Sequence, residues 1–168
     1  MSPRLTTIDI SKENLKFSGA HFTIFSSHER ERLHGHNFRV RAQVVAPVDE
    51  NGMCFDYQEI KSRLRNQCEA LDEYVLLPAR SPYLTITERE DQIEVQFDNE
   101  TMFFLRSDAQ LLPIRNTTVE EFSAYILDKL VNTDHFFAEN NVKRITIGVS
   151  SGDGQWGSSI WEQPTPKS

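Results

Sequence analysis

The chain has 168 residues, enough for one domain with its own core. With 26% charged residues, 38% hydrophobic residues and a net charge of −7, it reads as an ordinary globular protein that has no affinity for nucleic acid or for an anionic membrane surface. No apolar run approaches the roughly 20 residues of a membrane span, Met1-Ser2-Pro3-Arg4 lacks the apolar core of a signal peptide, and Cys54 and Cys68 form no metal motif, so reduced thiols and a cytoplasmic location are expected.

Residues 15–25 read as a strand, with a partner over 36–47. Asp49-Glu50-Asn51-Gly52 marks a turn, followed by a short extended piece at 53–55. Tyr57, Ile60, Leu64, Cys68 and Leu71 make one apolar stripe and predict a helix over 57–71. Residues 83–87, 92–97 and 101–106 predict a small antiparallel meander with Asp98-Asn99 at a turn. A second helix is expected over 117–131, capped by Thr117 with Glu120 or Thr118 with Glu121. Strands follow at 142–149 and 156–162 around Gly152-Asp153-Gly154, and a frayed tail at 163–168. Strand pairs interleaved with two helices, without strict βαβ alternation, predict an α+β domain: an antiparallel sheet with helices on one face.

The chemistry concentrates at His34-Gly35-His36. Residues two apart on a strand share a face, so the two imidazoles project side by side. His21, on the preceding strand, offers a third. Three histidines with an open fourth position are the ligand set of a catalytic Zn2+ site. Glu31, three residues before His34, is a candidate general base beside such a metal, although residue type alone favours a solvated charge in Glu29-Arg30-Glu31-Arg32. Asp72-Glu73 closes the first helix, where two carboxylates oppose its dipole. His28 lies in a polar loop, and His135 follows Asp134 where a helix dipole would favour it without any catalytic role.

Five segments carry a resemblance. Phe17-Ser18-Gly19-Ala20-His21, then Leu33-His34-Gly35-His36-Asn37, then Asn51-Gly52-Met53 with Phe55-Asp56-Tyr57 and Ile60-Lys61, then Leu71-Asp72, then Asn116-Thr117-Thr118-Val119-Glu120 resemble the 6-pyruvoyl tetrahydropterin synthase / 6-carboxytetrahydropterin synthase family, in order, over residues 15–160. The resemblance implies the tunnelling fold, a four-stranded antiparallel sheet with two helices on its outer face. It also implies a barrel closed by three subunits, stacked pairs of rings forming a homohexamer, and active sites at subunit interfaces. The implied substrate is a pterin-like small molecule, 7,8-dihydroneopterin triphosphate, whose side-chain hydroxyls meet zinc held by His21, His34 and His36.

The departures sharpen the expectation. The main branches of the family carry a cysteine base four or six residues before His34, where this chain has Arg30 and His28. Glu31 instead matches a branch that resembles enzymes cleaving the side chain to leave 6-hydroxymethyl-7,8-dihydropterin. Asp72 is implied as a proton relay, followed here by Glu73 rather than the frequent histidine, and Thr117 and Thr118 are implied to meet the ring. Ser150 or Ser151 stands where the family anchors the pterin with glutamate, so the substrate-binding set reads Thr117, Thr118, Ser150 and Ser151. The segment at 79–113 is longer than in compact relatives and reads as an insertion in a single domain spanning 1–168. A zinc-dependent side-chain lyase leads; 6-carboxytetrahydropterin synthase activity, another heterocycle, or non-catalytic binding are the alternatives.

Overall fold

The computed structural model describes residues 4–133 and 135–164. Asp134, the first three residues of the N-terminal stretch, and the expected tail beyond residue 164 lie outside the described residues.

The spine of the molecule is β3 (His34–Pro47), 14 residues long with its apolar side chains turned to one face. Its first half pairs antiparallel with β2 (Lys16–His21), which puts Phe17 opposite Phe38 and His21 opposite His34. Its second half pairs with β1 (Leu5–Ile10). On its other edge lies β9 (Arg144–Gly152), followed by β10 (Gln155–Glu162). The run β10-β9-β3-β2 supplies the four antiparallel strands expected, and the α+β class holds.

The sheet nevertheless extends further. β4 (Tyr74–Pro78) joins β2 in parallel, and β8 (Ala109–Leu112) joins β4 in parallel, making a seven-stranded mixed sheet. These pairings leave no hairpin signal in the sequence, because parallel neighbours are joined by long crossovers. The piece at 53–55 is loop rather than strand; Asp49 Oδ1 accepts from the Asn51 and Met53 N–H groups, 2.9 Å each, and the turn closes on itself.

Helices α1 (Gln58–Leu71) and α2 (Val119–Val131) cover one face of the sheet. The α1 stripe is buried at Ile60, Leu64, Cys68 and Leu71, whereas Tyr57 stays exposed because it is the N-cap and precedes the first turn. Between helices and sheet, Phe17 stacks on Phe38 at 4.9 Å between ring centroids, and Phe122 of α2 meets Phe38 edge-on at 5.0 Å. All three rings are fully buried, each worth about 1.5–3 kcal/mol of apolar transfer. Cys68 belongs to this core. Burial, then the charges of Asp72 and Glu69, push its thiol up to about 12, so it is an inert hydrophobe. A one-turn helix, α3 (Phe136–Glu139), follows α2.

The expected meander is present as β5 (Leu84–Glu88), β6 (Gln92–Phe97) and β7 (Glu100–Leu105), a separate antiparallel sheet. It has its own core, in which Ile93, Val95 and Phe97 pack with Phe22 and Ile24 of the segment after β2. The meander is therefore anchored on the loop that leads to the histidines. At the opposite wall, a Cβ at Gly157 would lie 2.8 Å from Val119 Cγ2 and 3.0 Å from Glu120 N, so glycine lets β10 pass beneath the start of α2. Among the described residues no helix is long and apolar enough to cross a membrane.

Candidate metal centre

The pairing of β2 with β3 builds the site. Cross-strand partners in an antiparallel ladder share a face, so the register that opposes His21 to His34 also brings His36, two residues along, diagonal to His21. Ring centroids are 4.7 Å apart for His21 and His34, 5.2 Å for His21 and His36, and 4.8 Å for His34 and His36. One ring nitrogen from each lies within 4.8 Å of the others. Phe38 closes the floor, 5.3 Å from His21 and 5.7 Å from His36.

Hydrogen bonds aim the rings. Nδ1 of the buried His21 donates to the Thr117 carbonyl at 2.8 Å, leaving Nε2 as a lone pair. That Nε2 is buried and has no hydrogen-bond partner. Nδ1 of His34 donates to the Arg32 carbonyl at 2.7 Å, and its Nε2 stands 3.0 Å from Nε2 of His36. Burial pushes the His21 pKa down, as do the neighbouring His34 and His36, against the opposing carbonyl of Thr117 and Glu31. A neutral ring with an orphaned inward lone pair and a carbonyl on its other nitrogen is the arrangement of a metal-ligating histidine. The donor set fits a divalent cation such as zinc.

Glu31 is part of the same site. Its Oε2 accepts from the Thr23 N–H at 3.0 Å and lies 3.9 Å from His34 Nε2. Burial pushes this half-exposed carboxyl up, but hydrogen bonds from the side chain and backbone of Thr23 outweigh that and hold it below its ordinary range, with His34 and His21 helping. It is therefore ionised at neutral pH and able to accept a proton. A cavity of about 220 Å3 opens here, its near wall formed by His21, His36, Glu31 and Thr23. The far wall is Thr117, Thr118 and Glu120 at the start of α2, with Ser151 and Gln155.

The expected substrate residues divide. Thr117 is fully buried; its hydroxyl donates to the Phe22 carbonyl at 2.8 Å and its own carbonyl holds His21, so it orients a ligand histidine as well as lining the cavity. Thr118 caps α2, accepting from Glu121 N at 3.4 Å; of the two expected capping pairs this is the one formed, with the Glu121 carboxylate turned to Arg115 N at 2.8 Å instead. Ser151 faces the cavity, but Ser150 is buried and its Oγ is engaged by both the carbonyl and the N–H of Gly152, so it serves the turn. Asp72 is not brought to the histidines within the chain. Its Oδ1 accepts from Ser18 N at 2.6 Å while Glu73 N, at φ 63°, donates to Ser18 O at 2.7 Å. The two acids thus clip the end of α1 to the outer edge of β2.

Thr23, Glu120 and Gln155 are cavity residues to which the sequence reading gave no role in the site. Glu120 was legible as a helix-cap residue and as the end of a segment that carries the resemblance, but not as a cavity carboxylate, and nothing local showed that β10 would bring Gln155 to α2. A carboxylate in the first turn of a helix is stabilised by the dipole, and this one can accept from an amidine-like ring edge. Arg30 and His28, at the positions of the absent cysteine, face the meander: Arg30 pairs with Glu100, and His28 Nδ1 lies 3.3 Å from Asp98. Neither Cys54, with Sγ 3.6 Å from the Ala46 carbonyl, nor Cys68 lines the cavity. His135 is exposed and precedes α3.

The model of the family described as 6-pyruvoyl tetrahydropterin synthase matches residues 9–158. A crystal structure of 6-pyruvoyl tetrahydropterin synthase from Plasmodium vivax superposes with a TM-score of 0.90 at 28% identity, covering 95% of this chain and 99% of that one. A variant of the Plasmodium vivax enzyme, in which a glutamate described as a catalytic residue is replaced by alanine, superposes with a TM-score of 0.89 at 27% identity and the same coverage. A Methanocaldococcus jannaschii protein provisionally named 6-carboxy-5,6,7,8-tetrahydropterin synthase is 25% identical over 143 residues, 84% of this chain and 86% of its own length.

Proposed function

Because the chain belongs to the 6-pyruvoyl tetrahydropterin synthase family, we propose that it is a zinc-dependent lyase acting on the side chain of 7,8-dihydroneopterin triphosphate, with 6-hydroxymethyl-7,8-dihydropterin as product. The observation that carries this reading is Glu31, an ionised carboxylate 3.9 Å from His34 Nε2 at the edge of the cavity. The glutamate named as catalytic in the Plasmodium vivax relative supports it.

His21, His34 and His36 would hold the zinc, which when bound supplies Lewis-acid polarisation of a substrate hydroxyl. Glu31 takes the proton of that hydroxyl. As the oxygen on the second side-chain carbon becomes a carbonyl, the bond between the first and second carbons breaks, its electron pair passing through the first carbon into the dihydropterin ring. The outer two carbons leave as an aldehyde carrying the triphosphate, and a proton returns to the first carbon, which keeps its own hydroxyl. Thr117 holds His21 in the tautomer that presents Nε2, and Thr118, Glu120 and Gln155 offer polar groups to the ring.

A second reading is 6-carboxytetrahydropterin synthase activity, favoured by the name given to the archaeal relative. The cavity lacks the cysteine that the resemblance assigns to that branch. Incubating zinc-loaded protein with 7,8-dihydroneopterin triphosphate and identifying the pterin product separates the two. 6-Hydroxymethyl-7,8-dihydropterin is expected; 6-carboxytetrahydropterin would transfer the chain to the second reading, and unchanged substrate would remove both.

The same reading includes a ring assembly. At about 220 Å3 the cavity is smaller than the roughly 300–1,000 Å3 of small-molecule sites, consistent with a wall contributed by a neighbouring subunit. β10 and β8 leave open edges on the sheet, which assembly would cover. Light scattering should give three or six chains per particle; the mass of a single chain at micromolar concentration would argue against a shared site.

A further inference from the structure

The strand of the loop that carries Glu31 is braced from the meander side by the Arg30 side chain. Glu31 N donates to the Thr23 carbonyl at 2.8 Å, and Ile24 bridges to Arg30, so the loop is a short hairpin folded on itself. Its inner strand is tied to the segment before α2 by Asn116, whose side chain binds both backbone groups of Ile24 at 3.1 and 2.8 Å, and its outer strand, which carries Glu31, is tied to the meander by the Arg30 guanidinium. Nη1 donates to the Glu31 carbonyl at 2.8 Å, while Nε and Nη2 donate to Glu100 Oε2 at 3.1 and 2.5 Å. The same group lies 5.2 Å from the Phe22 ring centroid and 5.7 Å from that of Phe97. Phe97 ends β6 and Glu100 begins β7, so both grip Arg30 from the turn of the meander. Arg30 is 16% exposed although it carries a full charge. A guanidinium held this way is ordered by its planar fork and its stacking, which a lysine cannot reproduce.

We propose that the meander is the brace of the active-site loop and that Arg30 is the positioning residue through which it fixes Glu31. The proposal rests on the reading of Glu31 as the base. Thr23 and Arg30 together bind the N–H, carbonyl and carboxylate of Glu31, which leaves its main chain little freedom. Freeing the carbonyl lets the carboxylate drift, and a displacement of about 1 Å at a reacting group can cost about 10²-fold in rate.

Arg30→Met keeps an apolar stem between Phe22 and Phe97 and removes the guanidinium. In zinc-loaded protein acting on 7,8-dihydroneopterin triphosphate, kcat should fall about tenfold to 10²-fold, with KM within about twofold and zinc content unchanged. Arg30→Lys should fall between wild type and Arg30→Met. Glu100→Gln, on a more exposed residue, should lose a few-fold and keeps the test open if Arg30→Met does not fold. Adding Arg30→Met to Glu31→Gln should slow the enzyme no further, because both act through one carboxylate. Hydrogen exchange at the Glu31 amide should quicken in Arg30→Met whatever the substrate. A kcat within twofold of wild type, or losses that multiply in the double variant, or unchanged exchange, would overturn the brace while a slow Glu31→Gln left the base standing. Normal turnover in Glu31→Gln itself would remove the base, and the brace with it.

Discussion

Zinc-loaded wild-type protein should carry about one ion per chain, and His36→Ala should lose most of it and with it all measurable turnover. Three imidazole nitrogens converge within 4.8 Å, and of the two cavity carboxylates Glu31 is committed to Thr23 while Glu120, at the start of α2, is not part of the converging group. Apparent zinc-binding energies of about 10–16 kcal/mol over four ligands give roughly 2.5–4 kcal/mol per ligand, so deleting one weakens binding by about 10²–10³-fold. The fold should survive, because His36 is only half-buried and the ladder bonds it sits in are backbone. The sign of the pH dependence follows from the same nitrogens. Ligation needs neutral rings, so zinc is held above the ordinary histidine range and released as pH falls through about 6.5 and below. Burial pushes the His21 pKa down, which favours the neutral, ligating form of that ring. Metal analysis of dialysed wild type and His36→Ala decides the matter; equal zinc in both would mean that the ion sits elsewhere.

The centre was legible because its logic is local. His34 and His36 declare a shared face by spacing alone, and His21 needs only one hairpin register to join them. The parts that were not legible depend on distant pairing. β4 and β8 join the sheet in parallel through crossovers, so nothing beside Tyr74 or Ala109 names β2 as the partner of one and β4 as the partner of the other. Asp72 and Glu73 drew attention as a carboxylate pair at the wrong end of a helix, and the strain proved structural: together they bind both backbone groups of Ser18. Ser150 and Ser151 were indistinguishable by position. The strand register turns one into the Gly152 turn and the other to the cavity, and it is the start of α2, not β9, that supplies the cavity's second carboxylate at Glu120. The meander likewise announced its three strands by alternation but not its contact with the Glu31 loop, which depends on where Phe97 and Glu100 end up relative to Arg30.

Glu31→Gln is expected to lower kcat by about 10²-fold or more, the usual worth of a general base and about 2.7 kcal/mol of barrier. Glutamine keeps the length of the side chain and an amide oxygen that can still accept from Thr23 N, so the loop geometry should hold. What it removes is the ability to take a proton. None of the three zinc ligands changes, so metal content should stay at the wild-type value, which separates this variant from His36→Ala, where metal and activity vanish together. KM should move little, since the carboxylate is needed when the hydroxyl proton leaves rather than when the ring docks. The depressed pKa of Glu31 works in the same direction: Thr23 keeps the base form populated at neutral pH, at the cost of some basicity. Steady-state turnover of 7,8-dihydroneopterin triphosphate by matched zinc-loaded samples is the measurement. Wild-type rates in Glu31→Gln would mean that another group takes the proton: either Glu120, the second carboxylate of the same cavity, or Asp72, which is clipped to Ser18 within one chain and would have to reach the centre from a neighbouring subunit.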